Sequence, residues 1–253
     1  MNLLKNRSSF LSAEDLTLAD ICRKYQIDIS MVEHLTQLEN FEIVIVCDDS
    51  GSMKQQVDNT TRTRWDELCD IVKIVLDIGV KFDRNGVDIH FLNRKPLLKV
   101  KNPEIINETF RKLPSDYTPL VPVLRKLFQS ALARENRDKK LLVLVATDGD
   151  PTDENGDSTV EEFLQLMTHG RNARTTYVSF LLCTDDAETV QCFANLDQTM
   201  LNVDVTDDYE TEKAQVRRRK GRDYPFSHGD YVVKALVGSV IRDIDLLNEF
   251  VSN

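Results

Sequence analysis

Hydrophobic positions along the chain alternate between a spacing typical of buried strands and one typical of helices. Short apolar runs rich in β-branched residues occur at Glu42–Cys47 and Leu141–Ala146, and their length favours buried strands. Between them, Arg64–Phe82 carries apolar residues at helical spacing with only a narrow polar stripe, which predicts a largely buried helix. We therefore expect strands and helices to follow one another along the chain.

The same alternation continues to the end of the sequence. Further strands are predicted at Val87–Leu92, Pro96–Val100, Tyr177–Leu182 and Leu201–Val205. Further helices are predicted at Pro103–Lys112, Pro119–Arg134, Val160–Met167, Ala187–Leu196 and Tyr231–Val251. Pro96 places its short strand at a sheet edge, because proline cannot donate a ladder hydrogen bond. The pattern indicates an α/β fold, with a Rossmann-like, doubly wound, mostly parallel sheet that carries helices on both faces.

Residues 1–40 are predicted to be helical, without the strands that alternate with helices in the rest of the chain. Ala13–Tyr25 and Asp28–Leu38 read as a short helical pair, so we predict an N-terminal helical extension over residues 1–40 and a main domain over residues 41–253. We favour packing of the extension on the main domain, and a separate docking module remains the alternative. Asp207–Asp230 is a long polar break, and its basic run Arg217–Arg222 is interpreted as a solvated loop, with contact to an acidic partner or nucleic acid as the alternative.

Charge, hydropathy and cysteine content argue against several classes of protein. The chain has 253 residues, with 32 Lys and Arg against 42 Asp and Glu, a net charge of −10 that argues against broad binding to nucleic acid or anionic membranes. No apolar stretch is long enough to span a membrane or to form a signal peptide. The cysteines are odd in number, five, and none forms a CxxC pair, which favours a reducing, cytoplasmic setting.

Oxygen-bearing residues follow two predicted strands and precede one predicted helix. The segments are Asp48-Asp49-Ser50-Gly51-Ser52-Met53, Thr147-Asp148-Gly149 and Thr118-Pro119-Leu120. In an open α/β sheet, ligands bind outside the carboxyl ends of the strands. Carboxylates and hydroxyls together suit a hard divalent cation, magnesium first and then manganese or calcium.

These three segments resemble the von Willebrand factor type A (VWA) domain, and the resemblance covers residues 41 to about 251. The first segment is similar to the family's DxSGSM sequence. Thr118-Pro119-Leu120 is similar to its threonine segment, and Thr147-Asp148-Gly149 is similar to its third element. The resemblance implies a six-stranded sheet with one short antiparallel edge strand and a metal-ion-dependent adhesion site (MIDAS). Carried over by position, the metal ligands are Asp48, Ser50, Ser52, Thr118 and Asp148.

The resemblance also implies a function. In the family, a partner protein typically supplies a Glu or Asp that completes the metal's coordination, so we expect an intracellular, non-enzymatic protein-binding module. In some members the last helix moves with the site, and Tyr231–Val251 is the matching segment here. One departure concerns the residues before Thr118, because Asp116 and Tyr117 stand where small residues are common and are expected to reshape the opening.

Several alternatives remain open. A magnesium-dependent phosphoryl-transfer enzyme or phospho-acceptor domain also places an Asp after its first strand, and Asp48 would then be the nucleophile or a metal ligand. A scaffold with a vestigial or purely structural metal site is the third hypothesis. Asp48, Ser50 and Ser52 also suit an ordinary polar turn, and Thr118 suits a helix N-cap. The four histidines are scattered along the chain, which argues against a catalytic role for them.

Overall fold

The computed structural model describes residues 17–57, 60–132, 138–184, 186–193, 195–245 and 247. Within these residues, six strands form one sheet in the order β3-β2-β1-β4-β5-β6. The strands are β1 (Phe41–Cys47), β2 (Val87–Phe91), β3 (Leu97–Val100), β4 (Lys140–Thr147), β5 (Thr176–Leu182) and β6 (Val203–Thr206). Only β3 runs antiparallel to its neighbour, and the remaining pairs are parallel. The predicted fold class, a mostly parallel six-stranded α/β sheet with an antiparallel edge strand, is confirmed.

Helices connect the strands and cover both faces of the sheet. Before β1 lie α1 (Leu18–Tyr25), α2 (Ile29–Leu35) and a 3-10 turn (Thr36–Asn40), and a second such turn (Gly51–Lys54) follows β1. The next helices are α3 (Arg64–Phe82), α4 (Glu104–Thr109), α5 (Leu120–Leu132) and α6 (Val160–Gln165), which continues into a π-helical turn (Leu166–Gly170). The last are α7 (Ala187–Phe193), α8 (Leu196–Thr199), α9 (Tyr209–Lys220), α10 (His228–Val237) and α11 (Arg242–Asp245).

The central strands are buried on both faces, which explains why their sequences are continuously apolar. In β1, Ile43 and Ile45 belong to a core shared with α3 and α10, whereas Val44 and Val46 belong to a second core shared with α5. Adjacent residues of a strand point to opposite faces, so each face receives every second side chain. The two cores hold β1 and β4 rigidly, and the loops after these strands are therefore well positioned to carry a site.

The helices before β1 pack on the core beneath α3 and α10. Ile21 of α1 and Leu35 of α2 are fully buried in the same cluster as the inner face of α3. Lys24 and Tyr25 both bind the buried carboxylate of Asp77 in α3, at 2.7 and 2.6 Å. The predicted helix over Ala13–Tyr25 is observed from Leu18 onwards, and residues 1–16 lie outside the described residues.

The polar stretch Asp207–Asp230 is not the loop that the sequence suggested, because half of it forms α9, which includes the basic residues up to Lys220. This helix has almost no apolar face, since Val216 is its one buried apolar residue, and hydrophobic periodicity therefore gave no signal. Its ends are stabilised by charge instead. Asp208 caps the first turn, which also carries Glu210, and basic residues occupy the last turn, as the helix dipole favours.

The last predicted helix, Tyr231–Val251, is also shorter than expected. Helix α10 ends at Val237, and the chain turns before α11, beyond which only residue 247 is described. Gly238 packs against Asp204 of β6 so closely that an added Cβ would lie 2.5 Å from its carboxylate, and Ser239 bonds Ser179 of β5 at 2.9 Å. The chain just beyond α10 thus packs directly against the sheet. Among the described helices, none has the length and apolar character needed to cross a membrane.

Candidate metal centre

The candidate site lies where two neighbouring parallel strands end. Cys47 of β1 pairs with Ala146 of β4, so the residues that follow these strands emerge side by side. The chain leaves β1 toward β2 on one side and leaves β4 toward β5 on the other, which makes this point the switch in strand order. Open α/β sheets bind their ligands at this position. The first loop (residues 48–54) and the third loop (residues 147–152) meet there.

The first loop folds around the carboxylate of Asp48. One carboxylate oxygen accepts from the Ser50 backbone N–H at 2.9 Å, and the other accepts from the Thr147 hydroxyl at 2.6 Å. Asp48 is only 1% exposed. The tight turn brings the hydroxyl oxygens of Ser50 and Ser52 within 3.0 Å of each other. The alternating residues of the sequence therefore converge, as an ion site requires.

Asp148 joins the third loop directly to the first. The Ser52 hydroxyl donates to Asp148 Oδ1 at 2.7 Å, across a separation of 96 residues. Asp148 Oδ2 lies 2.8 Å from Nη1 of Arg64, and the Asp148 side chain is fully buried. Ser50, Ser52 and Asp148 thus form a continuous chain of polar contacts. The structure brings the side chains of these three predicted ligands together.

Thr118 approaches from the threonine loop (residues 113–119). Its backbone N–H donates to the Thr152 hydroxyl, and its carbonyl accepts from the Thr152 N–H, both at 3.0 Å. Its own hydroxyl oxygen lies beside Gly149, where an added Cβ would be 3.3 Å away. Thr118 is 6% exposed. Its hydroxyl therefore sits next to the residue that follows Asp148.

A second buried ion pair, between Asp49 and Arg94, is hydrogen-bonded to the threonine loop and to the residue before it. The Asp49 carboxylate lies 2.9 Å from Nε of Arg94 and accepts from the Asn93 backbone N–H at 2.8 Å. Arg94 donates to the carbonyls of Lys112 and Leu113, at 3.0 and 2.9 Å. Asn93 donates to the carbonyl of Tyr117 at 2.8 Å. These bonds connect the ends of β1 and β2 to the segment that carries Thr118.

Asp116 and Tyr117, the departures from the family pattern, take different roles. Asp116 has a left-handed backbone (φ 75°), and its carbonyl accepts from the Gly51 N–H at 2.9 Å. Its carboxylate is bound by the Ser115 hydroxyl at 2.8 Å. Tyr117 is 51% exposed, and its ring covers Gly156, where any side chain would collide with it. Asp116 therefore shapes the first loop through its backbone, whereas the Tyr117 ring is exposed over Gly156.

Two neighbouring buried carboxylates dominate the electrostatics of the site, and Arg64 supplies one positive charge to Asp148. Burial, and then repulsion from the neighbouring Asp148, raises the pKa of Asp48 to about 7. Two adjacent buried carboxylates are costly unless positive charge is supplied. The described residues contain no group of three or more His, Cys, Asp or Glu side chains suited to a metal ion, so a metal here would depend on the hydroxyls. The oxygen set of Asp48, Ser50, Ser52, Thr118 and Asp148 fits a hard divalent cation.

The sequence did not single out several residues that build this site. Thr147 binds Asp48, Arg64 binds Asp148, and Asn93 with Arg94 holds the threonine loop. Asn93 and Arg94 follow closely on a predicted strand, so the rule that strand ends carry the site would have found them. Arg64 had no such signal, because it begins a helix far from any strand end in the sequence.

Comparison with known proteins gives similarity only at the level of solved structures. No protein-family model and no curated protein matches the chain. The pilus adhesin SpaC from Lactobacillus rhamnosus GG is 16% identical, with a TM-score of 0.49, over 77% of this chain and 31% of the adhesin. Its open conformation gives 15% identity and a TM-score of 0.47, over 77% of this chain and 30% of the adhesin.

Manganese-loaded TRAP protein from Plasmodium vivax is 15% identical to this chain, with a TM-score of 0.47. The similar part covers 70% of this chain and 72% of TRAP. The chain spans less than a third of the length of the adhesin. At these identities and TM-scores, we base no inference about function on these proteins, and the function has to be inferred from the residues of the site.

Proposed function

We propose that this chain is a VWA-type protein-interaction module with a metal-ion-dependent adhesion site. Asp48, Ser50, Ser52, Thr118 and Asp148 would hold a divalent cation, Mg²⁺ first and Mn²⁺ or Ca²⁺ as alternatives. A partner protein would supply a Glu or Asp to complete the coordination. The single observation that carries this proposal is the contact chain Ser50–Ser52–Asp148, which joins hydroxyls and a carboxylate from two distant segments.

The charge of the oxygen set supports binding of an acidic partner. Three of the five proposed ligands are neutral hydroxyls, so the protein's two carboxylates would only balance the charge of a divalent ion. Once bound, the cation would supply an electrophilic centre at the top of the sheet. Carboxylates are attracted to such a centre in a partly dry site, where the ion's own charge dominates the local field.

The surroundings of the site suit a protein partner. Ser52 is partly exposed, whereas Asp48 and Ser50 beneath it are buried, so the oxygen set opens outward at one point. Tyr117 stands exposed beside this opening. Tyrosine is enriched at protein interfaces because it offers a large apolar ring together with a hydroxyl. An acidic partner residue would approach past this ring.

The environment of Asp48 weighs against the alternative of a phosphoryl-transfer enzyme. A nucleophilic carboxylate needs an oxygen that substrate can reach, but both oxygens of Asp48 accept hydrogen bonds and the residue is 1% exposed. Incubation with acetyl phosphate tests this alternative. We expect no labelling of the unaltered chain. Labelling that is lost in Asp48→Asn would favour the phosphoryl-transfer alternative.

An intracellular setting belongs to the same proposal. The five cysteines, Cys22, Cys47, Cys69, Cys183 and Cys192, are all free thiols. Free thiols persist where the environment is reducing, as in the cytoplasm. The acidic charge of −10 favours a protein partner over nucleic acid or an anionic membrane surface.

Capture of partners from cell lysate tests the proposed function. The chain is immobilised and exposed to lysate in magnesium, in excess chelator, and in magnesium with the double variant Ser50→Ala/Ser52→Ala. We expect partners that bind only to the unaltered chain in magnesium. Recovery of the same partners in chelator, or on the double variant, would show that binding does not depend on this metal site.

A further inference from the structure

A guanidinium group lies inside the candidate metal centre. Nη1 of Arg64 is 2.8 Å from Asp148 Oδ2, and the Arg64 side chain is 14% exposed against a fully buried Asp148 side chain. The other Asp148 oxygen accepts from Ser52. Arg64 therefore adds a positive charge directly beside one of the two carboxylates of the site.

The backbone of Arg64 is anchored where it can keep this position. Arg64 is the first residue of α3, and Thr63 and Asp66 cap this helix reciprocally, with Thr63 N–H donating to the Asp66 carboxylate at 2.9 Å. The Arg64 N–H donates to the carbonyl of Gln55 at 3.0 Å. The backbone of Arg64 is thus bonded to the residue that follows the first loop, and this bond keeps its side chain within reach of Asp148.

The added charge acts in opposite directions on the two species that the site is proposed to bind. With two carboxylates alone, a divalent cation would be neutralised. Counting the ion, the two carboxylates and Arg64, one positive charge is in excess in a partly buried region, where Coulomb interactions are stronger than in water. Asp186 also interacts with Arg64, but its carboxylate is exposed and its charge is screened by solvent. That excess repels an incoming metal ion, but it attracts the carboxylate of a ligand that arrives afterwards.

We infer that Arg64 tunes two successive binding steps. It lowers the affinity of the empty site for the cation, and it raises the affinity of the metal-loaded site for an acidic ligand. This inference rests on the proposed function, since it assumes that the five oxygen-bearing residues bind a divalent ion. It assigns Arg64 the role of a positioning and charge-setting residue. The side chain itself need not touch the metal or the partner.

Manganese binding by the full chain provides the first test. Free Mn²⁺ is measured by electron paramagnetic resonance during titration of the unaltered chain and of Arg64→Gln. We expect Arg64→Gln to bind Mn²⁺ about tenfold more tightly, because the repulsive charge is gone. Arg62→Gln is the matched control, since Arg62 makes a half-exposed pair with Asp70 at 2.6 Å, and we expect its affinity to stay within about twofold of the unaltered chain.

Acetate provides the second test, as the simplest carboxylate probe. Acetate that coordinates bound Mn²⁺ displaces water and lowers the water-proton relaxation that the ion causes. We expect the Mn²⁺-loaded Arg64→Gln variant to bind acetate about threefold more weakly than the loaded unaltered chain. Opposite signs for manganese and acetate are the signature of a charge-setting residue, because a variant that merely disturbs the site would lose affinity for both.

The outcomes separate the inference from the proposed function. No Mn²⁺ binding to the unaltered chain would overturn both. Binding to the unaltered chain, with Arg64→Gln binding Mn²⁺ equally or more weakly, would overturn the inference alone. If Arg64→Gln is folded but less stable without metal, the thermal shift decides, and we expect Mn²⁺ to raise its Tm by more than it raises that of the unaltered chain. An equal or smaller shift would overturn the inference.

Discussion

Ser52 is the residue through which two segments of the site touch, because its hydroxyl contacts both Ser50 and Asp148. Ser52→Ala removes one proposed ligand and both of these contacts. We expect the variant to lose at least about tenfold in magnesium affinity, measured by calorimetry, since loss of one ligand from a small oxygen set costs more than about 1.4 kcal/mol.

Ser30→Ala is a suitable control for this variant. The Ser30 hydroxyl binds Asp28 on the exposed start of α2, far along the chain from the site. We expect Ser30→Ala to leave magnesium affinity unchanged. Equal magnesium affinity in Ser52→Ala and in the unaltered chain would exclude Ser52 as a ligand, whereas absence of binding to the unaltered chain would favour a scaffold with a vestigial site.

Asp48 makes the metal-free protein sensitive to pH. Its folded pKa is raised from 3.8 to about 7, so its favourable contribution to stability is complete below about pH 4 and is lost as the pH rises through 7. In chelator, the stability of Asp48→Asn relative to the unaltered chain should therefore rise between pH 4 and pH 7, by on the order of 3 kcal/mol. Urea unfolding at several pH values measures this difference, and a flat difference across that range would contradict the shifted pKa.

At the scale of elements, α9 and α10 are held together by a buried ion pair. Lys234 of α10 and Glu212 of α9 are 1% and 0% exposed, and Nζ lies 3.3 Å from Oε1. Lys234→Met leaves the carboxylate buried without this partner, and we expect it to destabilise the fold by roughly 3–5 kcal/mol. The double variant Glu212→Leu/Lys234→Met should recover most of that loss in chemical denaturation, and no recovery would assign the cost to packing instead.

The same two helices show where hydrophobic periodicity stops being informative. The strands and α3 were predicted to within two residues at each end. All of them except the largely exposed edge strand β3 bury a continuous or one-sided apolar pattern. Helix α9 was missed because charge at its ends, rather than an apolar face, stabilises it. The end of α10 was missed because the apolar pattern continues through Val240 and Ile241, whereas the helix ends at Val237.

At the scale of the whole molecule, the division into residues 1–40 and 41–253 stays a prediction. The contacts of Ile21 and Leu35 with the core indicate that the extension contributes to folding of the main part. We expect a chain lacking residues 1–40 to lose cooperative thermal unfolding or to melt at a clearly lower temperature, measured by circular dichroism. An unchanged Tm would show instead that the extension is an independent module.

The sequence brought together the oxygen-bearing residues of the candidate site, and their role as ligands stays a prediction, but it did not indicate the residues that surround them. Asp48 and Asp148 could be placed together because both follow strands of one parallel sheet. Arg64 and Thr147 complete the charge and hydrogen bonding of those carboxylates, but their roles depend on side-chain directions that only the folded chain defines. Thr118 was placed by resemblance, and the structure positions its hydroxyl beside Gly149.

A crystal grown in Mn²⁺ would show whether the five oxygen-bearing residues hold a metal ion. Diffraction is measured at the manganese absorption edge, where anomalous scattering locates the ion. We expect one strong peak between the first and third loops, within about 2.3 Å of the Ser50 and Ser52 hydroxyls or bridged to Asp48 and Asp148 by water. A fully described first loop with no anomalous peak at these oxygens, in abundant Mn²⁺, would contradict this expectation.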